Sequence, residues 1–336
     1  MSFYSNIARP ALFSFPPEKS QHLAEILLQQ SLLWKATSKL FSFEDEVLHT
    51  ELAGLKLRNP IGLAAGFDKN IKFLSSMEQL GFGYVIGGTI TKEPRSGNPS
   101  PRLLRIRKEK SLINSMGFPG EGLQAAAKRL ENLPVDPSAI RIVSISGTTI
   151  DDMVTCQTTI QTLCSAIEVN ISSPNTAGLR IFQEKTHLLK LLEALNQNKK
   201  VPIFVKLPPF IDSQDKSMTT EIRDLIEACL KSEVDAITVA NTIPVEDTRL
   251  AVGKGGLSGS KLFENTLSMI NTIKSEYGDK IEVNACGGVS TGEQAYQLIQ
   301  AGANSIQLYT SLVYEGPGLV KDIKTDLARL LKSQQK

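Results

Sequence analysis

Eight short apolar runs recur along this chain of 336 residues, and stretches with helical periodicity separate them. Short, continuously apolar strands that alternate with helices are typical of a parallel sheet covered on its outside. Eight of them predict a closed (β/α)8 barrel, a TIM barrel of the α/β class. The alternative is a doubly wound open sheet, but no G-x-G-x-x-G motif follows the first run. The predicted strands are 61–65, 84–87, 140–144, 166–170, 202–207, 236–240, 281–285 and 305–308.

Residues 1–45 differ from this pattern and are predicted to form a helical segment in front of the barrel domain, residues 46–336. Between Gln21 and about Leu40, apolar residues recur at three- and four-residue spacings, which is typical of an amphipathic helix. Such a helical pair covers core, or it forms a surface that faces lipid or admits a quinone, and the pattern leaves both open. Residues 47–57 alternate like a short hairpin that could plug the bottom of the barrel.

Composition excludes several classes of protein. The net charge is +2 and no basic stripe is present, so nucleic acid is not an expected partner. Four dispersed cysteines without a C-x-x-C pair and three scattered histidines predict no metal site, and they suit a reducing compartment. No apolar run reaches the ~18 residues needed to span a bilayer. The first residues lack the layout of a secretory signal.

Polar residues and glycines gather where the predicted strands end. Because the carboxyl ends of barrel strands form one face, which carries the site in such barrels, we expect these residues to meet there. Lys206 ends an apolar strand, where an ammonium needs an anion unless it reaches solvent. Glycine-rich residues 255–259 and 287–288, followed by 309–311, could bring backbone N–H groups close to a phosphate. A phosphorylated cofactor is therefore expected.

The loop after the fourth predicted strand has the residues to hold a planar ligand. Asn170 and Asn175 could each donate to and accept from a ring that carries C=O and N–H groups, and Ser173 could place its hydroxyl above that ring. An ordinary turn stabilised by Ser and Asn is the alternative for an isolated S-S-P-N string. The long segment 91–111 is predicted to cross the barrel mouth, with a small hairpin at 102–107.

Taken in order, these motifs resemble those of the dihydroorotate dehydrogenases, flavin enzymes of pyrimidine synthesis, in the form whose catalytic base is serine. Residues 8–13 and 17–23 are similar to the N-terminal extension of the membrane-associated, quinone-using class 2 enzymes. The resemblance covers nearly the whole chain, through residues 59–69, 88–91, 97–105, 113–118, 170–180, 205–207, 241–242, 255–259 and 287–288.

The resemblance implies that dihydroorotate is oxidised to orotate in de novo pyrimidine synthesis, with hydride transfer to FMN and reoxidation by a quinone. Ser173 would remove the C5 proton. It also implies a peripheral protein on the cytoplasmic face of the inner membrane if the chain is bacterial, and otherwise an intracellular one. Substrate would be held by Lys69, Asn114, Ser115, Met116, Gly117, Phe118, Asn170, Asn175, Asn241 and Thr242. FMN would be held by Ala65, Gly66, Lys69, Thr89, Ser144, Asn170, Lys206, Ala240, Ser258, Gly259, Gly288, Tyr309 and Thr310.

The chain departs from the family pattern in three places. Pro119-Gly120 stands where Asn-Asn is usual, Ser144 where an asparagine is usual, and Ala240 where a threonine is usual. Residues 205–210 and 144–147 look more like the soluble, cysteine-type class. Two alternatives therefore stay open. One is a related FMN oxidoreductase that acts on another dihydropyrimidine or uses a soluble acceptor of the fumarate or NAD type. The other is a barrel that binds flavin or nucleotide without turnover.

Overall fold

A computed structural model describes residues 3–172, 179–210 and 218–334. Its strands, in chain order, are β1 (Thr50–Leu52), β2 (Leu55–Leu57), β3 (Ile61–Asp68), β4 (Tyr84–Ile90), β5 (Leu103–Ile106), β6 (Ser111–Asn114), β7 (Arg141–Ile145), β8 (Ala166–Asn170), β9 (Ile203–Lys206), β10 (Ala236–Val239), β11 (Ile243–Glu246), β12 (Lys254–Gly259), β13 (Glu282–Cys286) and β14 (Ser305–Leu308). Its α-helices are α1 (Arg9–Phe13), α2 (Pro17–Leu28), α3 (Ser31–Phe41), α4 (Leu74–Glu78), α5 (Gly122–Glu131), α6 (Ile150–Ile160), α7 (Lys185–Asn196), α8 (Thr220–Lys231), α9 (Phe263–Tyr277), α10 (Gly292–Gln300), α11 (Thr310–Glu315) and α12 (Leu319–Gln334).

Eight parallel strands close into the barrel, in the order β3, β4, β7, β8, β9, β10, β13 and β14. All eight overlap the runs predicted from sequence, so the predicted barrel is confirmed. The strands are largely apolar because helices cover the barrel from outside and side chains fill it from inside. Val143, Val205 and Ile237, for example, are wholly buried.

A hairpin closes the bottom of the barrel. Strands β1 and β2 pair antiparallel, with Leu52 opposite Leu55. Leu52 and Leu57 pack against the inward side chains of Tyr84 and Phe204 at the amino ends of the strands. The hairpin predicted over 47–57 is therefore present with its buried face, but it starts at Thr50, because residues 46–48 form a 3-10 turn. Polar ligands must enter from the other end.

A four-stranded antiparallel sheet lies at the open end, in the order β11, β12, β6 and β5. The predicted hairpin at 102–107 is present as β5 paired with β6, but it extends further along the chain, to Asn114. The sheet itself was not expected, because β11 and β12 come from a segment about 130 residues further along the chain. It forms a wall over one side of the barrel mouth.

The helical stretch predicted from Gln21 to Leu40 is two helices, α2 and α3, that meet at Gln29 and Gln30. The indole Nε1 of Trp34 donates to the carbonyl of Leu27 over 3.0 Å and so fixes one helix against the other. The pair is held to the residues just before β5, at the edge of the four-stranded sheet, by the Arg102–Glu18 ion pair, with 3.0 Å between Nε and Oε2. In the described residues, no helix has the length and apolar character needed to cross a membrane.

Helix α4 is shorter than the sequence pattern predicts. The periodicity over 71–80 predicts more than two turns, but α4 spans only Leu74–Glu78. The preceding turn is held instead by Asp68, whose carboxylate accepts from the N–H groups of Lys72 and Phe73. Helix α6 begins directly after Thr149. Thr149 caps it by accepting from Asp152 N over 3.1 Å, and a T-x-x-D spacing was the available signal.

Candidate active site

One continuous cavity of about 700 Å³ opens at the carboxyl ends of the barrel strands. Its inner part is lined by polar residues and glycines of the barrel and of the four-stranded sheet. Its outer part is lined by apolar side chains of the N-terminal helices, among them Leu23, Leu27, Leu33 and Trp34. The volume is that of a typical cofactor or substrate site. The cavity thus consists of an inner polar chamber and an outer apolar channel that is continuous with it.

A chain of hydrogen bonds crosses the floor of the polar chamber. Ser144 and Thr89 share a hydrogen bond of 3.0 Å between their hydroxyls. Asn170 Nδ2 donates to Thr89 Oγ1 over 3.1 Å, and Asn170 Oδ1 accepts from the hydroxyl of Ser172 over 3.0 Å. Asn241 Nδ2 in turn donates to Ser172 Oγ over 2.9 Å. Strands β4, β7, β8 and the segment after β10 are tied together, and both amides have fixed orientations.

Lys206 ends β9 inside the same chamber and is 5% exposed. Its Nζ donates to Cys286 Sγ at 3.8 Å, a weak partner for an ammonium. Burial works to lower the pKa of Lys206, but that pKa lies above its usual range, because Cys286, once it ionises at high pH, and the buried Glu168 both favour the ammonium. Burial raises the pKa of the Cys286 thiol, so the sulfur is neutral at neutral pH. Lys206 therefore presents a positive charge to the cavity.

A second lysine lies at the end of β3. Lys69 Nζ donates to the carbonyl of Gly66 over 2.8 Å, and the hydroxyl of Tyr309 donates to the same carbonyl over 3.2 Å. Gly66 has φ +90°, a conformation that L-residues rarely adopt, so glycine is required at this turn. Lys206 on β9 and Lys69 after β3 are therefore two of the cations that line the cavity.

The third part of the site is a cradle of glycine backbone. Gly288 has φ +80°, and a Cβ there would lie 2.2 Å from the backbone nitrogen of Phe263. Gly259 has φ +110°, and a Cβ there would lie 2.5 Å from the carbonyl of Lys110. Thr310 Oγ1 donates to Ser258 Oγ over 2.8 Å beside them. Close backbone and small hydroxyl groups at this end of a barrel suit a phosphate.

The segment after β6 forms the side of the chamber opposite the barrel floor. Asn114 lies opposite Gly256 in the antiparallel sheet and faces the cavity. The backbone that follows is held by Asn98, whose Nδ2 donates to the carbonyl of Ser115 over 2.8 Å and whose backbone N–H donates to Met116 O. Pro119, one of the departures from the family pattern, also lines the cavity.

The structure brings most of the predicted site residues together. Ser115 and Ser144 are buried and do not line the cavity, and Ser144 acts on it only through Thr89. Ser173 and Asn175 lie outside the described residues. The predicted residues that line the cavity are Ala65, Gly66, Lys69, Thr89, Asn114, Met116, Gly117, Phe118, Asn170, Lys206, Ala240, Asn241, Thr242, Ser258, Gly259, Gly288, Tyr309 and Thr310.

Sequence reasoning missed four residues of this site. Ser172 is the central hydrogen-bonding group between Asn170 and Asn241, and Cys286 is the neighbour of Lys206. Arg105 lines the cavity near the N-terminal helices, with its guanidinium 4.3 Å from the ring centre of Phe13. The fourth residue, Glu168, is fully buried on β8. Only Glu168 carried a signal, since a charged residue within an apolar strand is rarely buried without a partner.

A closed β/α barrel with two cations, paired amides and a glycine cradle at the carboxyl ends of its strands is an enzyme of the TIM-barrel class. The family model for dihydroorotate dehydrogenase matches residues 47–331. The chain belongs to the dihydroorotate dehydrogenase family, which confirms the resemblance seen in its motifs.

Related proteins match this chain over almost its full length. Dihydroorotate dehydrogenase (quinone) of Bartonella henselae is 36% identical, over 99% of this chain and 93% of the relative. The protein of the same name from Sulfurimonas denitrificans is 35% identical, over 97% of this chain and 94% of the relative. A crystal structure of DHODH from Eimeria tenella in complex with ferulenol has a TM-score of 0.82 and 28% identity, and covers 95% of this chain and 93% of that one.

Proposed function

We propose that this protein is a quinone-dependent dihydroorotate dehydrogenase that carries FMN and acts in pyrimidine biosynthesis. The observation that carries the proposal is the continuous cavity, which joins a polar chamber at the barrel mouth to an apolar channel between the N-terminal helices. A polar chamber suits a charged, planar pyrimidine, and an apolar channel suits a quinone. The relatives named for the quinone-type reaction match the chain from end to end.

The residues present fit FMN. The cradle of Gly259 and Gly288 leaves no room for a side chain, so its backbone can approach a phosphate closely. Ser258 and Thr310 add hydroxyl donors, and Lys206 places its ammonium in the same chamber. FMN, when bound, accepts a hydride from the substrate. The remaining FMN contacts in the proposal are Ala65, Gly66, Lys69, Thr89, Ser144 through Thr89, Asn170, Ala240 and Tyr309.

The substrate side of the proposal depends on amides and on Lys69. Asn170 and Asn241 are held in place by Ser172, so their remaining polar atoms are directed before a ligand arrives. A preformed arrangement of this kind lowers the entropic cost of orienting the ring. Lys69 would meet the carboxylate, and Asn114, Thr242, Asn175 and the segment 115–118 would complete the set. Ser173, which follows the fixed Ser172, would take the C5 proton.

The apolar channel is the proposed route of the quinone. Leu23, Leu27 and Leu33 line it, and their side chains are also 44–50% exposed at its outer end. Arg105 lines the cavity beside Phe13 of α1, and its guanidinium would donate to a quinone oxygen. Exposed apolar side chains on α2 and α3 suit peripheral contact with a membrane that supplies the quinone. In a bacterial cell that membrane would be the inner one, on its cytoplasmic face.

Anaerobic mixing separates the two halves of this proposal. Dihydroorotate added without oxygen should bleach the absorbance of the bound flavin, and a quinone added next should restore it. A yellow protein that dihydroorotate does not bleach would exclude the proposed substrate. A protein that is bleached, and is then reoxidised by fumarate or NAD but not by quinone, would exclude the proposed acceptor and keep the substrate.

A further inference from the structure

Glu168 is a buried carboxylate that has no role in the proposed reaction. It lies in the middle of β8 and is fully buried, two residues before Asn170. Its Oε2 accepts from Thr238 Oγ1 over 2.9 Å and from Gln307 Nε2 over 3.3 Å. Its Oε1 has no hydrogen-bond partner among the described residues. A carboxylate in such a place is costly unless a positive charge compensates it.

The compensating positive charge is that of Lys206, which lies on the neighbouring strand β9. Thr238 is the register partner of Lys206 on the neighbouring strand, and Gln307 is the register partner of Cys286, which contacts the Lys206 ammonium. The two side chains that hold Glu168 are therefore adjacent to Lys206 and to its partner Cys286, respectively. Within the described residues, the hydrogen-bond partner of the Lys206 ammonium is the sulfur of Cys286 at 3.8 Å, and no carboxylate forms an ion pair with it.

The other titratable groups in this part of the barrel are neutral. Burial raises the pKa of Cys286 and, further down the barrel, that of Tyr84. Glu168 is the one carboxylate whose charge acts on Lys206 within the described chain, and it acts to keep the lysine protonated although burial opposes this. Each charge thus reduces the cost of burying the other.

We infer that Glu168 is the buried counter-ion of Lys206, a positioning residue that moderates the positive charge facing the flavin and so sets the flavin's reduction potential. The inference rests on the proposed function, because it requires flavin in the chamber that Lys206 faces. A reduced flavin carries negative charge, which Lys206 stabilises and Glu168 opposes. Glu168 would hold the potential low enough for a quinone to reoxidise the flavin.

The test is a redox titration of the flavin-loaded protein and three variants, followed by flavin absorbance. Glu168→Gln removes the charge and keeps the shape, so the midpoint potential should rise. Glu168→Asp keeps the charge, and Thr238→Val removes only one hydrogen bond to it, so both should stay near the parent. An unchanged potential in Glu168→Gln with flavin bound, or an equal rise in Thr238→Val, would overturn the inference. Parent protein that binds no flavin would instead contradict the proposed cofactor.

A second pair of variants keeps the inference testable if Glu168→Gln fails to fold. Cys286→Asp places a carboxylate directly beside Lys206, whereas Cys286→Ser is its neutral control. The potential should fall in Cys286→Asp and stay near the parent in Cys286→Ser. Combining Glu168→Gln with Cys286→Asp moves the charge within the same cluster and should bring the potential back toward the parent. Equal potentials in Cys286→Asp and Cys286→Ser would show that charge beside Lys206 does not set the flavin potential.

Discussion

The hydroxyl of Ser172 donates to Oδ1 of Asn170 over 3.0 Å, which ties the start of the loop after β8 to the strand that carries it. The same hydroxyl accepts from Asn241, so one small side chain orients two amides of the site. Ser173 is the next residue along the chain. Two adjacent serines thus have different expected tasks, one in holding the site and one in proton removal, and mutation can separate them.

Ser173→Ala should leave flavin bound and slow flavin reduction by dihydroorotate by several orders of magnitude. A serine hydroxyl is a poor base without help, so its contribution depends on placement and a route for the proton. Ser173→Cys should keep partial activity with a shifted pH profile, because a thiol ionises more readily. The measurement is anaerobic stopped-flow absorbance. Ser173→Ala rates within about threefold of the parent would contradict the assignment.

Ser172→Ala is the matched control for that experiment. It removes two hydrogen bonds, each worth about 0.5–1.5 kcal/mol, and should weaken dihydroorotate binding by roughly tenfold through looser amides. The limiting rate of flavin reduction should fall far less than in Ser173→Ala. Equal losses in the two variants would mean that Ser173 has no special role.

Lys206→Ala should lose flavin or hold a flavin that is harder to reduce. The variant removes the buried ammonium from the polar chamber, so negative charge on reduced flavin loses a preorganised cation. Flavin content and midpoint potential measure the effect. Lys200→Ala, an exposed lysine shortly before β9, is the control and should match the parent. A Lys206→Ala variant with full flavin content and an unchanged potential would contradict the role.

Leu27→Gln should impair oxidation of the reduced flavin by quinone and leave reduction by dihydroorotate nearly unchanged. Leu27 lines the apolar channel, whereas Leu32 on the same helical pair is 82% exposed and does not. Leu32→Gln is therefore the matched control. A water-soluble quinone analogue without lipid keeps membrane contact out of the measurement. If the two variants oxidise at the same rate, the helices only cover core and the acceptor enters elsewhere.

Lys324→Met should stabilise the fold by about 1–2 kcal/mol at pH 7, because a buried and poorly paired charge often costs more than an apolar side chain of similar size. Lys324 is fully buried on α12, and its Nζ has no hydrogen-bond partner in the described residues and lies 3.6 Å from Glu44 Oε1. Lys332→Met, at the exposed end of the same helix, is the control and should change stability by less than about 1 kcal/mol.

The pH dependence of this effect has a definite sign. Burial lowers the pKa of Lys324 below its ordinary value of 10.5, so the unfolded chain binds more protons than the folded one between the two values. The parent therefore gains stability as pH rises through that window. The advantage of Lys324→Met should be largest near neutrality and shrink toward pH 10. Urea unfolding at both pH values tests this, and an advantage that grows with pH would contradict it.

The sequence predicts the barrel because its strands are buried on both faces. Runs such as 61–65 and 84–87 are apolar without interruption, and that property is local and visible in the sequence. Strand ends are equally visible, and parallel topology alone brings Asn170, Lys206 and Asn241 to one face. The glycines at Gly259 and Gly288 are also visible in the sequence, because the absence of a Cβ, which lets the backbone approach a ligand closely, is a property of the residue itself.

The order of elements in sequence does not determine which side chains touch. The four-stranded sheet over the mouth joins β6 to β12, and no local pattern encodes a pairing between segments so far apart. Whether a residue at a strand end faces the cavity is equally non-local: Asn114 faces it and Ser115 does not, because β12 fixes the register of β6. The break between α2 and α3 falls at two glutamines that have no strong helix-ending signal.

By itself, the sequence determined the fold class, the face that carries the site and the residue types that gather there, because burial and backbone freedom are properties of short segments. Only the tertiary structure decided that Lys206 meets Cys286, that Thr238 and Gln307 hold Glu168 beneath it, and that the polar chamber continues into the apolar channel. Those relationships depend on the closure and register of eight strands at once. Distances across a barrel are fixed by all of its strands together and by none of them alone.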